Sequence, residues 1–229
     1  MLFTLPATAR AVTWPRIGIG IGVAILLAML SFSILRPVLV LPRMAPAPHF
    51  GLTDQNNRWL LDSDLRGRVV LYNFTYTRCA EGCPQTSPTL HALQQSISAQ
   101  ADLPPLALVT ISFDTAHDTP AALSGYAARI GADPSLWHFA TGSSTDLKTL
   151  IGGGFKTYYT ANPDGTYTFD PVFVLVDGDG VIRAEYRTAT PSTDTILRDI
   201  RLIAEEARRS RGAERYVYEA AHLFVCYPR

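Results

Sequence analysis

The sequence predicts a three-layer α/β fold carried on an N-terminal membrane-spanning helix, and three observations support that reading. Residues 17–35 run without a charge, apolar β-branched segments alternate with segments of helical spacing from residue 69 onward, and one strand-like run opens directly into FTYTRCAEGCP. Strands that alternate with helices imply a largely parallel sheet covered by helices on both faces.

The first 16 residues form a short basic N-terminus, with Arg10 and Arg16, ahead of IGIGIGVAILLAMLSFSIL at 17–35. At about 1.5 Å per residue that apolar run reaches roughly 28 Å, enough for a hydrocarbon core, whereas the apolar region of a secretory signal is about 7–15 residues. An uncleaved single-pass anchor is therefore expected. Arginines flank the span almost evenly, so charge bias does not set its direction. Residues 36–48, rich in proline and small side chains, are expected to form an extended, solvated tether. The domain proper is expected at 49–208, with a C-terminal extension at 209–229. No acidic residue precedes position 49 but four arginines do, which leaves 16 basic and 20 acidic side chains beyond it. That negative balance argues against nucleic acid as a partner.

Residues 69–75 (VVLYNFT) read as a buried strand. The chain has 3 cysteines, and two of them, Cys79 and Cys83, follow that strand directly. Pro84 suits the first turn of a helix, and Leu90, Leu93 and Ile97 continue at helical spacing. The orphan N–H groups of that helix and the neighbouring Arg78 favour thiolate, while Glu81 opposes it. Four residues apart on a near-helical turn, the two thiols suit a disulfide; reduced, they offer two soft sulfurs to one Cu(I) ion. Zinc is disfavoured, because no second Cys or His pair completes a tetrahedron.

Residues 106–113 form a second apolar strand that ends at Asp114. Asp118, before Thr119-Pro120, is expected to cap the next helix, with Leu123, Tyr126, Ala127 and Ile130 on its inner face. A third run at 136–140 leads to Ser143-Ser144-Thr145-Asp146, another helix entrance. Residues 172–176 and 181–186, joined by DGDG, read as a closing β-hairpin, and 193–208 as the last helix. Cys226 is left over near the C-terminus.

TRCAEGCP after one strand, SFDTAHDTP after the next, and VFVLVDGDGVIRAEY near the end together resemble the Sco (SenC) family over roughly residues 48–205. The resemblance implies a membrane-anchored thioredoxin-like fold, a three-layer α/β/α sandwich. It also implies a copper chaperone and thiol–disulfide protein that serves assembly of the dinuclear copper centre of cytochrome c oxidase. Its partner would be the oxidase copper-centre subunit or another disulfide-bearing protein, reached from the extracytoplasmic side of a cell membrane. In the family, copper is held by the two cysteines and one histidine.

This chain departs from the pattern at the histidine. Eleven residues before Gly180, where the family places it, stands Phe169. Asp170 offers an oxygen, a poor match for Cu(I), and His117 is the best histidine substitute. Pro171 precedes the strand at 172–176, where thioredoxin-like oxidoreductases carry a cis-proline facing the cysteines; a cis Asp170–Pro171 bond would leave backbone to receive a partner's mixed disulfide. The expected site is thus Cys79, Cys83 and Pro171, with copper on the two cysteines and a third ligand from Asp170 or His117. The alternative function is thiol–disulfide exchange without copper, one thiolate attacking and the other resolving.

Overall fold

The computed structural model describes residues 14–35, 39–79, 85–210, 212 and 214–224. In chain order the elements are α1 (Trp14–Leu35), β1 (Ala45–Pro46), β2 (Gly51–Asp54), β3 (Trp59–Leu61), β4 (Val69–Thr75), α2 (Ser87–Ser98), β5 (Leu106–Ser112), α3 (Pro120–Arg129), β6 (Trp137–Thr141), α4 (Ser144–Leu147), β7 (Tyr159–Ala161), β8 (Tyr167–Phe169), β9 (Phe173–Val176), β10 (Val181–Tyr186), α5 (Thr193–Arg209) and α6 (Glu214–Phe224). A 3₁₀ turn at Asp62–Leu65 leads toward β4, and a π-helical stretch at Lys148–Gly154 continues α4.

Eight strands form one sheet in the order β1-β10-β9-β4-β5-β6-β2-β3, while β7 and β8 make a separate hairpin. Among the described residues β4–β5 and β5–β6 pair in parallel, and the other pairings in the sheet are antiparallel. The sheet is therefore mixed, and the largely parallel sheet expected from the sequence is corrected. An apolar run buried on both faces looks the same whichever way its neighbour points. The closing hairpin is as expected: Gly180, at φ 76°, donates its N–H to Asp177 O at 2.9 Å.

Alternate residues of β4 face two cores. Val69 and Leu71 join Leu90 and Leu93 of α2, Leu123 of α3, and Ile196, Ile200 and Ile203 of α5 on one face. Val70, Tyr72 and Phe74 join Leu147, Ile151 and Phe155 on the other. This is the period-2 geometry of a strand serving both layers of an α/β/α sandwich. A buried polar relay crosses the central strands: Trp137 Nε1 donates to Thr110 Oγ1 (2.8 Å), Thr110 to Asn73 Oδ1 (2.6 Å), and Asn73 Nδ2 to Thr86 Oγ1 (2.9 Å). Thr86 is the N-cap of α2, so the relay fixes the helix start against the sheet.

Two local expectations shift. Helix α2 starts at Ser87 with Pro88 in its first turn, later than Pro84, which lies outside the described residues. Residues 39–48, expected to be extended and solvated, are docked: Val40 and Leu41 are 0% and 1% exposed, Ala45–Pro46 pairs with β10, and Arg183 donates to the carbonyls of Leu41 and Pro42. Part of the reason lies beyond the predicted domain. Helix α6 folds back so that Tyr218 and Ala221 bury Val40, and His222 of that helix lies against Glu206 of α5.

Among the described residues no helix is long and apolar enough to cross a membrane. Helix α1 has 22 residues, but its side chains are described only at 18–27 and 29–31, all of them exposed.

Candidate functional site

The parallel strands β4 and β5 end side by side, and both loops leaving them carry the chemistry. After β4 the chain makes one tight turn, in which the Cys79 N–H donates to Tyr76 O at 3.2 Å. Cys79 is half-buried and disulfide-bonded. Its partner sulfur, like Cys83 and Cys226, lies outside the described residues. Gln85 donates its side-chain amide to Cys79 O at 2.9 Å and makes a long contact of 3.9 Å with its sulfur.

The loop after β5 supplies two buried carboxylates. Asp114, 1% exposed, accepts from Arg78 Nε (3.0 Å) and Nη2 (2.7 Å), lies 2.9 Å from His117 Nδ1, and takes a longer bond of 3.4 Å from the Tyr167 hydroxyl. Burial alone would raise the Asp114 pKa, but the hydrogen bonds and charges of His117 and Arg78 outweigh it and hold the carboxyl below its usual range. Arg78 Nη2 also lies 2.9 Å from His117 Nδ1 and donates to Gly165 O at 3.1 Å, in the turn between β7 and β8. One ring nitrogen of His117 thus faces a carboxylate that can only accept and a guanidinium that can only donate. The expected push of Arg78 on the Cys79 thiol is weakened by this pairing, since its charge is already matched by Asp114.

The second carboxylate, Asp118, does not cap α3 as expected. Thr119 is the N-cap and accepts from Ala122 N. Asp118 points the other way, into the cysteine loop, where it accepts from Thr77 N at 2.8 Å, from the Thr77 hydroxyl and from the Ser112 hydroxyl. Sequence spacing could not separate these roles, because an aspartate before Thr-Pro is equally well placed for a helix end or a neighbouring loop.

Phe169 is 6% exposed and belongs to an aromatic wall, with its ring centroid 5.2 Å from Phe113 and 6.2 Å from Tyr76. Tyr167 and Tyr159 complete the wall, Tyr159 stacking on Phe113 at 4.7 Å. Cys79 packs against the same buried cluster. Nothing in the sequence marked these rings as a unit, because they come from four separate segments.

Asp170 is exposed, and its backbone N–H donates to Tyr158 O at 3.1 Å. The Asp170–Pro171 bond is trans, since no cis peptide bond occurs among the described residues. Of the two forms open to Pro171 the trans one is present: Pro171, half-buried, introduces β9. Of the expected site residues, His117 is brought to the loop of Cys79 through Arg78, while Asp170 is turned to solvent. Among the described residues no group of three His, Cys, Asp or Glu side chains is placed to hold a metal ion.

Residues 42–205 match the SCO1/SenC family. The chain belongs to that family. This Sco-family chain is 30% identical to the mitochondrial SCO2 homolog of Bos taurus over 157 residues, covering 65% of the chain and 58% of the relative. It therefore spans little more than half the length of that relative. Among solved structures, BsSco, described as a member of the Sco family of cytochrome c oxidase assembly proteins with a disulfide switch, superposes with a TM-score of 0.65 at 23% identity, covering 73% of this chain and 98% of that one. Copper-bound ScoI of Bradyrhizobium japonicum superposes with a TM-score of 0.56 at 26% identity, covering 69% and 98%. The thioredoxin-like α/β fold expected from the sequence is confirmed.

Proposed function

We propose that this Sco-family protein is a dithiol–disulfide protein that carries one copper ion as cargo in assembly of the copper centre of cytochrome c oxidase. The observation that carries the reading is Cys79 in a disulfide at the end of β4, within the family-matched segment. Cys83 is the proposed partner of that disulfide. Reduced, the pair presents two soft thiolates, a donor set suited to Cu(I) even without a third ligand. Relatives support the cargo: ScoI of B. japonicum has been solved with copper bound, and BsSco belongs to a family named for oxidase assembly.

The same proposal places α1 across a membrane, with the domain on the extracytoplasmic side. What supports it is the sequence, since residues 17–35 carry no charge and would extend about 28 Å as a helix, together with the exposure of Ile19 and Leu26, 67% and 66%. The acceptor is proposed to be the oxidase copper-centre subunit or another disulfide-bearing protein.

A second reading, thiol–disulfide exchange without copper, is favoured by Phe169. It occupies the place of the family histidine and is buried among aromatic rings, so no imidazole is available there. Competition of the reduced, detergent-solubilised full chain against a chromogenic Cu(I) chelator, under anaerobic conditions, separates the two. One retained equivalent that disappears in Cys79→Ser is the expected result. Failure of the unaltered protein to hold Cu(I) removes the copper role and leaves exchange as the function.

A further inference from the structure

Asp118 carries an inference of its own, which rests on Cys79 and Cys83 acting as a reversible dithiol. The carboxylate is 0% exposed, and its hydrogen bonds among the described residues come from neutral donors: the Ser112 hydroxyl at the end of β5, and both the backbone N–H and the hydroxyl of Thr77. Thr77 is the second residue of the tight turn closed by Cys79 N and Tyr76 O. The N–H at that position has no partner inside such a turn. Asp118 satisfies it from 41 residues away in sequence, as a capping side chain satisfies the first turn of a helix. Arg78, the next residue, is held by Asp114 of the same acidic loop. Both residues that lead into Cys79 are therefore fastened to one support, and that support is anchored to the neighbouring central strand.

We infer that Asp118 is a positioning residue for the thiol pair, holding the turn of Cys79 in one place in both redox states. An ordered turn keeps the two sulfurs near bonding separation, which raises their effective concentration and stabilises the disulfide relative to the dithiol. The couple concerned is simple: two molecules of reduced glutathione give two electrons and two protons to the protein disulfide, whose S–S bond breaks as that of oxidised glutathione forms.

Redox titration of the full chain in glutathione buffers, read by mass shift after alkylation, tests the role. Asp118→Ala should weaken the disulfide by about tenfold, a midpoint potential about 30 mV less negative. Asp118→Asn, whose side-chain oxygen still accepts from Thr77 N–H, should recover most of that difference, and Ser112→Ala should stay within about twofold of the unaltered protein. A merely structural contact would change melting without this order of potentials. The proposal is overturned if Asp118→Ala titrates with the unaltered protein, or if Asn is as damaging as Ala. Should Asp118→Ala not fold, Thr77→Ala takes its place with an expected shift of about threefold, and an unshifted titration overturns the proposal. A disulfide in the unaltered protein that no glutathione ratio reduces reversibly overturns the dithiol reading itself, whereas unmoved variants beside a reversible parent overturn the role of Asp118 alone.

Discussion

Asp114 and Glu206 are both carboxylates held by arginine and histidine, and they behave differently. Asp114 is met by Arg78 and His117, whose side chains are 44% and 53% exposed. Glu206 is met by Arg183, Arg43 and His222, of which Arg183 is 3% and His222 10% exposed. Arg183 also bonds Asp177 at 3.0 Å and the carbonyls of Leu41 and Pro42, so this cluster ties β10, α5, α6 and the docked segment before β1 together. The Asp114 cluster ties the loops after β4 and β5 to the β7–β8 hairpin, beside the disulfide-bonded Cys79. Similar residue types thus build a lock where their partners are buried and an adjustable rim where they are wet. Desolvation makes the first set costly to separate, whereas solvent can replace lost bonds in the second.

The sharpest way to break that contrast is to remove one partner from each cluster. Arg183→Met removes the buried cation shared by Asp177 and Glu206, leaving Glu206 with Arg43 and His222, and should cost about 3–5 kcal/mol in chemical denaturation, while copper retention per folded molecule stays unchanged. An equal loss on Arg78→Met would abolish the distinction.

Acid titration gives the next largest effect. Burial works against the charged form of Glu206, but His222 and Arg183 overcome it and bring the pKa from 4.5 to about 2. A carboxyl depressed on folding contributes stability that is fully present above its unfolded pKa and lost as pH falls through the folded value. The loss should therefore run from about pH 4.5 down to about pH 2 and amount to roughly 3 kcal/mol. Glu206→Gln should flatten that limb in pH-dependent unfolding, and an unchanged limb would assign acid lability elsewhere. The smallest effect belongs to Asp114→Asn, whose shift in denaturation midpoint should be roughly a third or less of that of Arg183→Met and should shrink further in high salt.

What could be read in advance depended on whether a local pattern had one structural solution. Residues 69–75 and 106–113 were legible as strands because their apolar runs are short, β-branched and bounded by breakers; they appear as β4 (Val69–Thr75) and β5 (Leu106–Ser112). The helix expected at 193–208 runs Thr193–Arg209, because Ser192 caps it and its apolar stripe is continuous, but it is not the last one: α6 (Glu214–Phe224) follows it. The cysteine loop and the acidic loop were legible as motifs, but their contact was not. The bond from Thr77 to Asp118 joins residues 41 apart, and no local spacing encodes it. Gln85 beside Cys79 escaped notice for a similar reason, since a lone glutamine after a proline carries no pattern.

By itself, the sequence determined the central strands β4 and β5, the closing hairpin and the helices α2, α3 and α5, where the thiols sit relative to the first central strand, and that an uncharged stretch precedes the domain. These follow from periodicity, caps and turn residues, which act over a few neighbouring positions. Only the tertiary structure decided that β9 runs antiparallel to β4, that residues 39–48 are docked and not free, that Asp118 serves the turn of Cys79 in place of its own helix, and that Phe169 closes an aromatic wall. Each of these is a choice among partners that satisfy the same local chemistry equally well. The choice is made by burial, which rewards the one arrangement that pairs every polar group while packing both faces of the sheet.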